Sequence, residues 1–241
     1  MKQPIKTAVI LAGGEGSRLR PLTYDIPKPM VNLLGKPILQ WIIQWLRNNG
    51  ILNIVIGLAY KKKTVIDYFG DGSEFGVKIK YSVHSVEGET GEGFRLAIER
   101  HVNDDLFLAM NGDEITNFNT EDLVSYHRKW NPIATVTVAN PRCPFGTVKT
   151  DENGRILCFE EKPVIPSLLV SVGVYLFNHS IMDFLPEKGA IEKVTFPLLA
   201  EKNLLRAYHM NGTWLTVNTM KDVKYAESVL REEVREGRWL K

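Results

Sequence analysis

An apolar run followed by a glycine-rich and then basic loop stands near the start of the chain, in the stretch TAVILAGGEGSRLR over residues 7–20. The apolar part is short and rich in β-branched residues, which is typical of a strand buried inside a parallel sheet. The glycines at positions 13, 14 and 16 permit positive φ and let backbone N–H groups approach a ligand. Because open α/β sheets bind ligands beyond the carboxyl ends of their strands, this loop is predicted to bind one.

The segments that follow alternate between helix and strand patterns. Apolar residues recur at helical spacing after Pro37, and Gly50 lies just past the predicted end of that helix. Strand patterns follow in LNIVIGLA, GVKIKYSV, DLFLAM, IATVTV and SVGVYLF. Strands and helices that alternate at this pitch predict an α/β fold with a Rossmann-like, mostly parallel sheet flanked by helices.

Two β-hairpins are predicted outside this alternation. One turns at Asn153–Gly154 and the other at Asn211–Gly212, and Asn-Gly is a strong hairpin signal. A charged helix closes the chain in KDVKYAESVLREEVREG. The sequence contains no repeat or linker, so residues 1–241 are predicted to form a single domain with β insertions on an α/β core.

Composition restricts the class of partner. A net charge of +2 gives no general electrostatic reason to bind nucleic acid or a membrane. The two cysteines, Cys143 and Cys158, do not form a disulfide framework, and no apolar window is long enough for a membrane span. These features predict a cytoplasmic protein without a leader peptide.

The glycine loop differs from two well-known phosphate-binding loops. A dinucleotide fingerprint needs a small residue where this chain has Leu19, and a Walker-type loop needs Gly-Lys-Ser/Thr where it has Gly16-Ser17-Arg18. Arg18, Arg20 and Lys28 follow the glycines, and cations beside a backbone nest indicate a polyphosphate site. The alternative is a flexible glycine turn with solvated arginines.

Three further side chains are candidates for binding a ligand. Asp113 follows a buried strand directly, where it is either a Mg²⁺ ligand or a turn-forming residue. Glu161 and Lys162 end an alternating strand, so they face opposite ways unless the chain bends before Pro163. A solvated, charged strand end is the alternative. The five histidines show no metal-binding spacing.

Taken in order, the motifs LAGGEGSRLRPLT, PKPM, GKPIL, YFGDGSEFGVKIKYS, NGD and FEEKP resemble those of sugar-1-phosphate nucleotidylyltransferases, and the resemblance covers nearly the whole chain. It implies a glycosyltransferase-A-like fold with sugar-binding β-hairpin insertions. It also implies a nucleotide-binding half near residues 1–115 and a sugar-phosphate-binding half near residues 116–241. The implied substrates are a nucleoside triphosphate and a sugar-1-phosphate, and the implied cofactor is Mg²⁺.

The resemblance also assigns residues to these ligands. Arg18, Lys28 and Asp113 would form the catalytic set, with Asp113 and Asn218 as the metal ligands. The nucleotide would be bound by Leu11, Gly13, Gly14, Gly16, Ser17, Arg18, Thr90 and Gly91. The sugar phosphate would be bound by Gly146, Glu161, Lys162 and Gly173.

The C-terminal part departs from the commonest family pattern. Thr216 stands where many members carry a second metal-binding Asp, and Asn218 is the nearest substitute. The segment around Asn218 and the stretch TGEGFRL resemble the glucose-1-phosphate cytidylyltransferase branch and favour CTP, with UTP, dTTP and GTP left open. Two alternatives stay open: a regulatory homologue that binds nucleotide or NDP-sugar without turnover, and a cytidylyltransferase for a non-sugar phosphate. A homo-oligomer is also compatible with the apolar helix faces.

Overall fold

A computed structural model describes residues 4–239 of the chain. Its strands are β1 Thr7–Leu11, β2 Asn32–Leu33, β3 Lys36–Pro37, β4 Asn53–Leu58, β5 Lys78–Val83, β6 Leu106–Asn111, β7 Glu114–Thr116, β8 Ala134–Ala139, β9 Gly146–Thr150, β10 Ile156–Glu161, β11 Val170–Asn178, β12 Leu205–His209 and β13 Trp214–Thr216. Its α-helices are α1 Ile38–Asn48, α2 Lys62–Phe69, α3 Glu89–His101, α4 Thr120–Trp130, α5 Thr195–Glu201 and α6 Met220–Arg235.

Seven of the strands form one sheet in the order β12-β8-β11-β6-β1-β4-β5. β1 pairs in parallel with β4 and β6, β4 with β5, and β12 with β8. Only β11 runs antiparallel to its two neighbours in this sheet, β6 and β8. The predicted α/β fold with a mostly parallel sheet is therefore confirmed.

Helices cover both faces of the sheet, as the fully apolar central strands require. On one face α1 buries Trp41, Ile42 and Trp45 in a core cluster that also contains Ile10 of β1. On the other face α3 contributes Phe94 to a second cluster. Since α1 turns its apolar face into this core, that face is not available for self-association, and a homo-oligomer stays a prediction.

The two predicted hairpins have different outcomes. β9 and β10 form an antiparallel two-stranded sheet of their own on either side of Asn153–Gly154, as predicted. The predicted hairpin at Asn211–Gly212 is wrong. β12 joins the main sheet in parallel with β8, whereas β13 pairs antiparallel with β7, so the two segments leave the turn for different partners.

Two observations bear on the environment of the protein. Within residues 4–239, no helix combines the length and the apolarity that a membrane crossing requires. Cys143 and Cys158 are both free thiols.

Candidate active site

A cavity of about 420 Å³ opens at the carboxyl ends of β1 and β6. The Gly112 N–H donates to the carbonyl of Leu11 over 2.7 Å, which joins the ends of the two strands. The walls combine both strand ends with three more distant segments. They are formed by Leu11, Ala12, Gly13, Gly14, Lys28, Pro29, His84, Val86, Glu89, Thr90, Asn111, Gly112, Asp113, Ala190 and Lys193.

Lys28 is the centre of a cluster of charged and polar side chains beside this cavity. Its ammonium donates to Asp113 Oδ2 over 2.5 Å and to Asn218 Oδ1 over 2.8 Å. Arg18 donates to the same Asn218 oxygen over 3.1 Å. The structure therefore brings together four residues that the sequence analysis selected separately.

The backbone of the glycine loop allows Lys28 to reach this position. Lys28 begins a 3₁₀ turn, Lys28–Met30, between Pro27 and Pro29, and only 8% of the residue is exposed. Gly16 has φ 68°, and a Cβ there would lie 2.7 Å from the Lys28 Cβ. Gly16 is thus required both by its left-handed conformation and by the close approach of Lys28.

Asn218 is oriented by the residues on either side of it. Its Nδ2 donates to Thr216 Oγ1 over 2.6 Å, which leaves Oδ1 facing Lys28 and Arg18. Its backbone N–H donates to Asp222, and Asp222 also forms a reciprocal capping box with Thr219 at the start of α6. Thr216 therefore positions the amide that lies beside Lys28.

Glu114 is a site residue that the sequence analysis did not select. Burial raises its pKa to about 8, and the neighbouring Asp113 adds to that rise. Its Oε2 accepts a hydrogen bond from Trp214 Nε1 over 2.7 Å. A Cβ on Gly173 would lie 2.8 Å from the Glu114 Cγ, so Gly173 borders this carboxyl group. The only sequence signal was its place directly after Asp113.

Thr90 and Gly91, selected as nucleotide contacts, connect α3 to a segment from later in the chain. The Thr90 hydroxyl donates to Glu192 Oε2 over 3.0 Å and accepts the Ile191 N–H over 2.9 Å. A Cβ on Gly91 would lie 2.4 Å from the carbonyl oxygen of Gly189. Thr90 still lines the cavity, whereas the absence of a Gly91 side chain lets the two segments pack closely.

His84 also lines the cavity. Its Nδ1 lies 2.9 Å from the Ser85 carbonyl. Its Nε2 is buried and has no hydrogen-bond partner in the described chain. A Cβ on Gly13 would lie 2.9 Å from this ring, so Gly13 gives the histidine room beside the glycine loop.

The remaining predicted residues lie on or near the β9–β10 hairpin. Gly146 pairs with Glu161, and a Cβ on Gly146 would lie 3.0 Å from Glu161 Oε2. Lys162 adopts φ 50°, which breaks the strand alternation, and its ammonium lies 3.7 Å from Glu161 Oε1. Both side chains are exposed, and within residues 4–239 their ion pair does not extend to Lys28 or Asp113.

Arg20 is separate from the cluster around Lys28. Its guanidinium lies 3.8 Å from Glu15 and stacks over the Tyr24 ring, 5.6 Å from the ring centroid. Of the three basic residues that follow the glycine loop, Arg18 and Lys28 converge on Asn218, and Arg20 does not.

Comparison with known proteins places the chain in a family. The nucleotidyl transferase family model matches residues 7–233. A UTP–glucose-1-phosphate uridylyltransferase from Synechocystis is 32% identical over 249 residues, covering 95% of this chain and 64% of that protein. A mannose-1-phosphate guanylyltransferase from Mycobacterium tuberculosis is 33% identical over 223 residues, covering 89% of this chain and 62% of that protein.

A solved structure supports the fold independently. HddC from Yersinia pseudotuberculosis superposes with a TM-score of 0.75 at 22% identity, covering 94% of this chain and all of that one. The chain spans less than two thirds of the length of the curated relatives that it matches. The family match nevertheless extends over nearly the whole sequence. The chain therefore belongs to the nucleotidyl transferase family.

Proposed function

We propose that this protein transfers a nucleotidyl group from a nucleoside triphosphate to a sugar-1-phosphate and releases pyrophosphate. The observation that carries the proposal is the convergence of Lys28, Asp113 and Asn218 beside the cavity that the glycine loop lines. This cluster lies at the carboxyl ends of parallel strands, where α/β proteins bind nucleotides.

The reaction needs positioning more than acid–base chemistry. A phosphate oxygen of the sugar-1-phosphate forms a bond to the α-phosphorus of the triphosphate, and the bond from that phosphorus to the bridging oxygen breaks. Pyrophosphate leaves with the electron pair. The nucleophile is already ionised at neutral pH, so the protein has no proton to remove. The main obstacles are repulsion between two anions and the charge that develops on the leaving group.

The residues of the cluster address both obstacles. Backbone N–H groups of the loop around Gly13, Gly14 and Gly16 face the triphosphate in this proposal, together with Leu11 and Ser17. Lys28 binds beside the α-phosphate and the attacking oxygen, and Arg18 binds the departing pyrophosphate. Since Lys28 is already fixed by two hydrogen bonds, it requires little reorganisation during the reaction.

The donor atoms of the site fit Mg²⁺. Asp113 offers a carboxylate and Asn218 an amide oxygen, both of the hard oxygen type that Mg²⁺ prefers. Within the described chain no group of three or more His, Cys, Asp or Glu side chains could hold a metal, so substrate oxygens and water would complete the coordination. The bound ion would neutralise phosphate charge. Lys28 donates to both protein oxygens and would share them with the ion.

The sugar phosphate would bind on the side of Gly173 and the β9–β10 hairpin. Gly173 adopts φ 68°, and a Cβ there would lie 2.8 Å from Glu114 Cγ and 3.0 Å from Asn111 Nδ2, so glycine lets the backbone pass close to both side chains. Glu161 and Lys162 reach into solvent from the end of β10 with Gly146 beside them, so they are free to meet a ligand.

The base of the triphosphate is proposed from the relatives. The two named above are a uridylyltransferase and a guanylyltransferase, which favours UTP or GTP. The CTP predicted from the Asn218 segment gains no support from these names. His84 and Val86 line the cavity and are the proposed neighbours of the base.

The test is pyrophosphate release with UTP, GTP, CTP, dTTP or ATP against glucose-1-phosphate and mannose-1-phosphate in the presence of Mg²⁺. One nucleotide–sugar pair should react clearly best. Lys28→Ala should then lower kcat/KM by about 10²–10³. Lys63→Ala is the matched control, because Lys63 pairs only with Asp67 on the surface of α2. Nucleotide binding without turnover across the panel would instead favour a regulatory homologue or a non-sugar acceptor.

A further inference from the structure

The segment from Pro186 to Val194 forms one wall of the cavity, although it lies far along the chain from the glycine loop. Two of its residues, Ala190 and Lys193, line the cavity. Gly14, Lys28 and Asp113 line the same cavity. Nothing in the sequence analysis assigned a role to this segment.

Burial and backbone hydrogen bonds hold this segment in place. Ile191 is fully buried in the second core cluster, and its N–H donates to the Thr90 hydroxyl over 2.9 Å. The Gly91 N–H donates to the Gly189 carbonyl over 2.9 Å. The N–H groups of Lys193 and Val194 both donate to the Ala190 carbonyl and close a turn. The backbone of Lys193 is therefore held at a defined point of the cavity rim.

The Lys193 ammonium has no partner of its own. Lys28 and Lys193 are the two cationic side chains that line the cavity. Lys28 is paired with Asp113 over 2.5 Å. Within residues 4–239, the Lys193 ammonium makes no hydrogen bond or ion pair. Of the two lysines in the lining, Lys193 is therefore the one without an ion pair among the described residues, and the carboxylate of Glu89 lines the same cavity.

We infer that Lys193 binds a phosphate oxygen of a substrate held in this cavity. An unpaired ammonium at the rim of this cavity of about 420 Å³ favours an anion, and it needs no internal contact to be broken first. The ammonium of Lys28, in contrast, is already engaged with Asp113. This inference rests on the proposed function for the identity of the substrate. The phosphate belongs to either the nucleoside triphosphate or the sugar-1-phosphate.

The test uses Lys193→Met, which keeps the length of the side chain and removes its charge. Lys188→Met is the matched control, because Lys188 is an exposed lysine of the same segment that does not line the cavity. KM is measured for each substrate with the other in excess. Loss of one charge-assisted hydrogen bond should raise the KM of the contacted substrate by roughly 10- to 100-fold. The substrate whose KM rises is the source of the phosphate.

Two further measurements make the test decisive. Lys193→Arg keeps the charge and should restore most of the lost affinity, whereas a purely structural role would not follow charge. If Lys193→Met matches Lys188→Met in both KM values and in kcat, the inference is wrong.

A calorimetric titration with UTP, GTP and inorganic pyrophosphate keeps the two proposals separate. Weaker binding to Lys193→Met than to the wild type supports the phosphate contact even if the wild type shows no turnover. If Lys193→Met binds all three ligands as tightly as the wild type does, and its kinetics are also unchanged, the inference is contradicted.

Discussion

The central sheet and the β9–β10 hairpin carry different halves of the proposed site, and they are held in place in different ways. In β1 all residues but the last are buried, and β6 has four buried residues of six. In β10 every residue is exposed, including Phe159 at 64%. The cluster around Lys28 is therefore built on a packed scaffold, and the proposed acceptor contacts are not.

The hairpin relies on its own ladder and on a few backbone contacts at its base. Arg142 and Val164 form an isolated bridge there, and the Cys143 N–H donates to the Pro163 carbonyl over 2.8 Å. Two-stranded hairpins are marginally stable in water without further packing. Elements with few buried contacts open at low free energy, and binding elements are often of this kind. The difference indicates that the proposed nucleotide side is rigid and that the proposed sugar side is adaptable.

The largest predicted effect compares one phenylalanine from each region. Phe107 of β6 is fully buried, so Phe107→Ala should lower the free energy of unfolding by about 3–5 kcal/mol. Phe159→Ala should change it by no more than about 0.5 kcal/mol, because that ring is largely exposed. Urea denaturation measures both variants. Equal losses would mean that the hairpin is packed in solution.

Hydrogen exchange tests the same contrast in the wild-type protein. Amides of β9 and β10 should exchange roughly 100-fold faster, or more, than those of β1 and β4, because local opening exposes only the hairpin. Adding sugar-1-phosphate should slow exchange in the hairpin and leave β1 unchanged. Equal protection of the two regions in the free protein would contradict the proposed difference.

A smaller effect is expected for Glu161→Gln. This isosteric change removes the carboxylate charge and should raise the KM for the sugar-1-phosphate by about tenfold, with the melting temperature unchanged. Glu160→Gln is the matched control, since the neighbouring side chain on a strand faces the other way. A similar KM change in both variants would show that only the net charge of the hairpin matters.

The smallest effect concerns His127 of α4. This histidine is buried in the packed part of the molecule, whereas the exposed β9–β10 hairpin contains no histidine. Burial holds the pKa of His127 below its ordinary value of 6.5. The unfolded chain therefore binds this proton more readily, so stability is complete above pH 6.5 and decreases as the pH falls below it. His127→Gln should flatten that decrease in pH-dependent urea denaturation. A curve parallel to that of the wild type would assign the dependence to other groups.

Local sequence patterns predicted the scaffold well, because the spacing of apolar residues along each segment of the α/β alternation shows whether it is a strand or a helix. The chain around Asn211–Gly212 shows where this approach fails. Gly212 is required because a Cβ there would lie 2.7 Å from Asn117 Oδ1, not because a hairpin turns there. The partners of β12 and β13 are β8 and β7, and no local pattern identifies strands so far away.

The candidate site, like the fold, was predictable in part from the sequence. Lys28, Asp113 and Asn218 were found through motifs, although their convergence depends on long-range contacts. Lys193 and Glu114 were missed. The first lies in a segment without a distinctive motif, and the environment of the second depends on Trp214, which is 100 positions away. Burial and charge compensation of this kind are properties of the folded chain.

The separation of Lys28 from Asn218 has a consequence for how the chain acquires its site during synthesis. These residues are 190 positions apart, and Lys28 and Asp113 are 85 apart. A growing chain therefore contains the glycine loop and Asp113 long before it contains Asn218. Until the ribosome has added β13 and the capping residues of α6, Lys28 lacks one of its two fixing oxygens. The site is therefore completed only after a segment far along the chain from the glycine loop has been made.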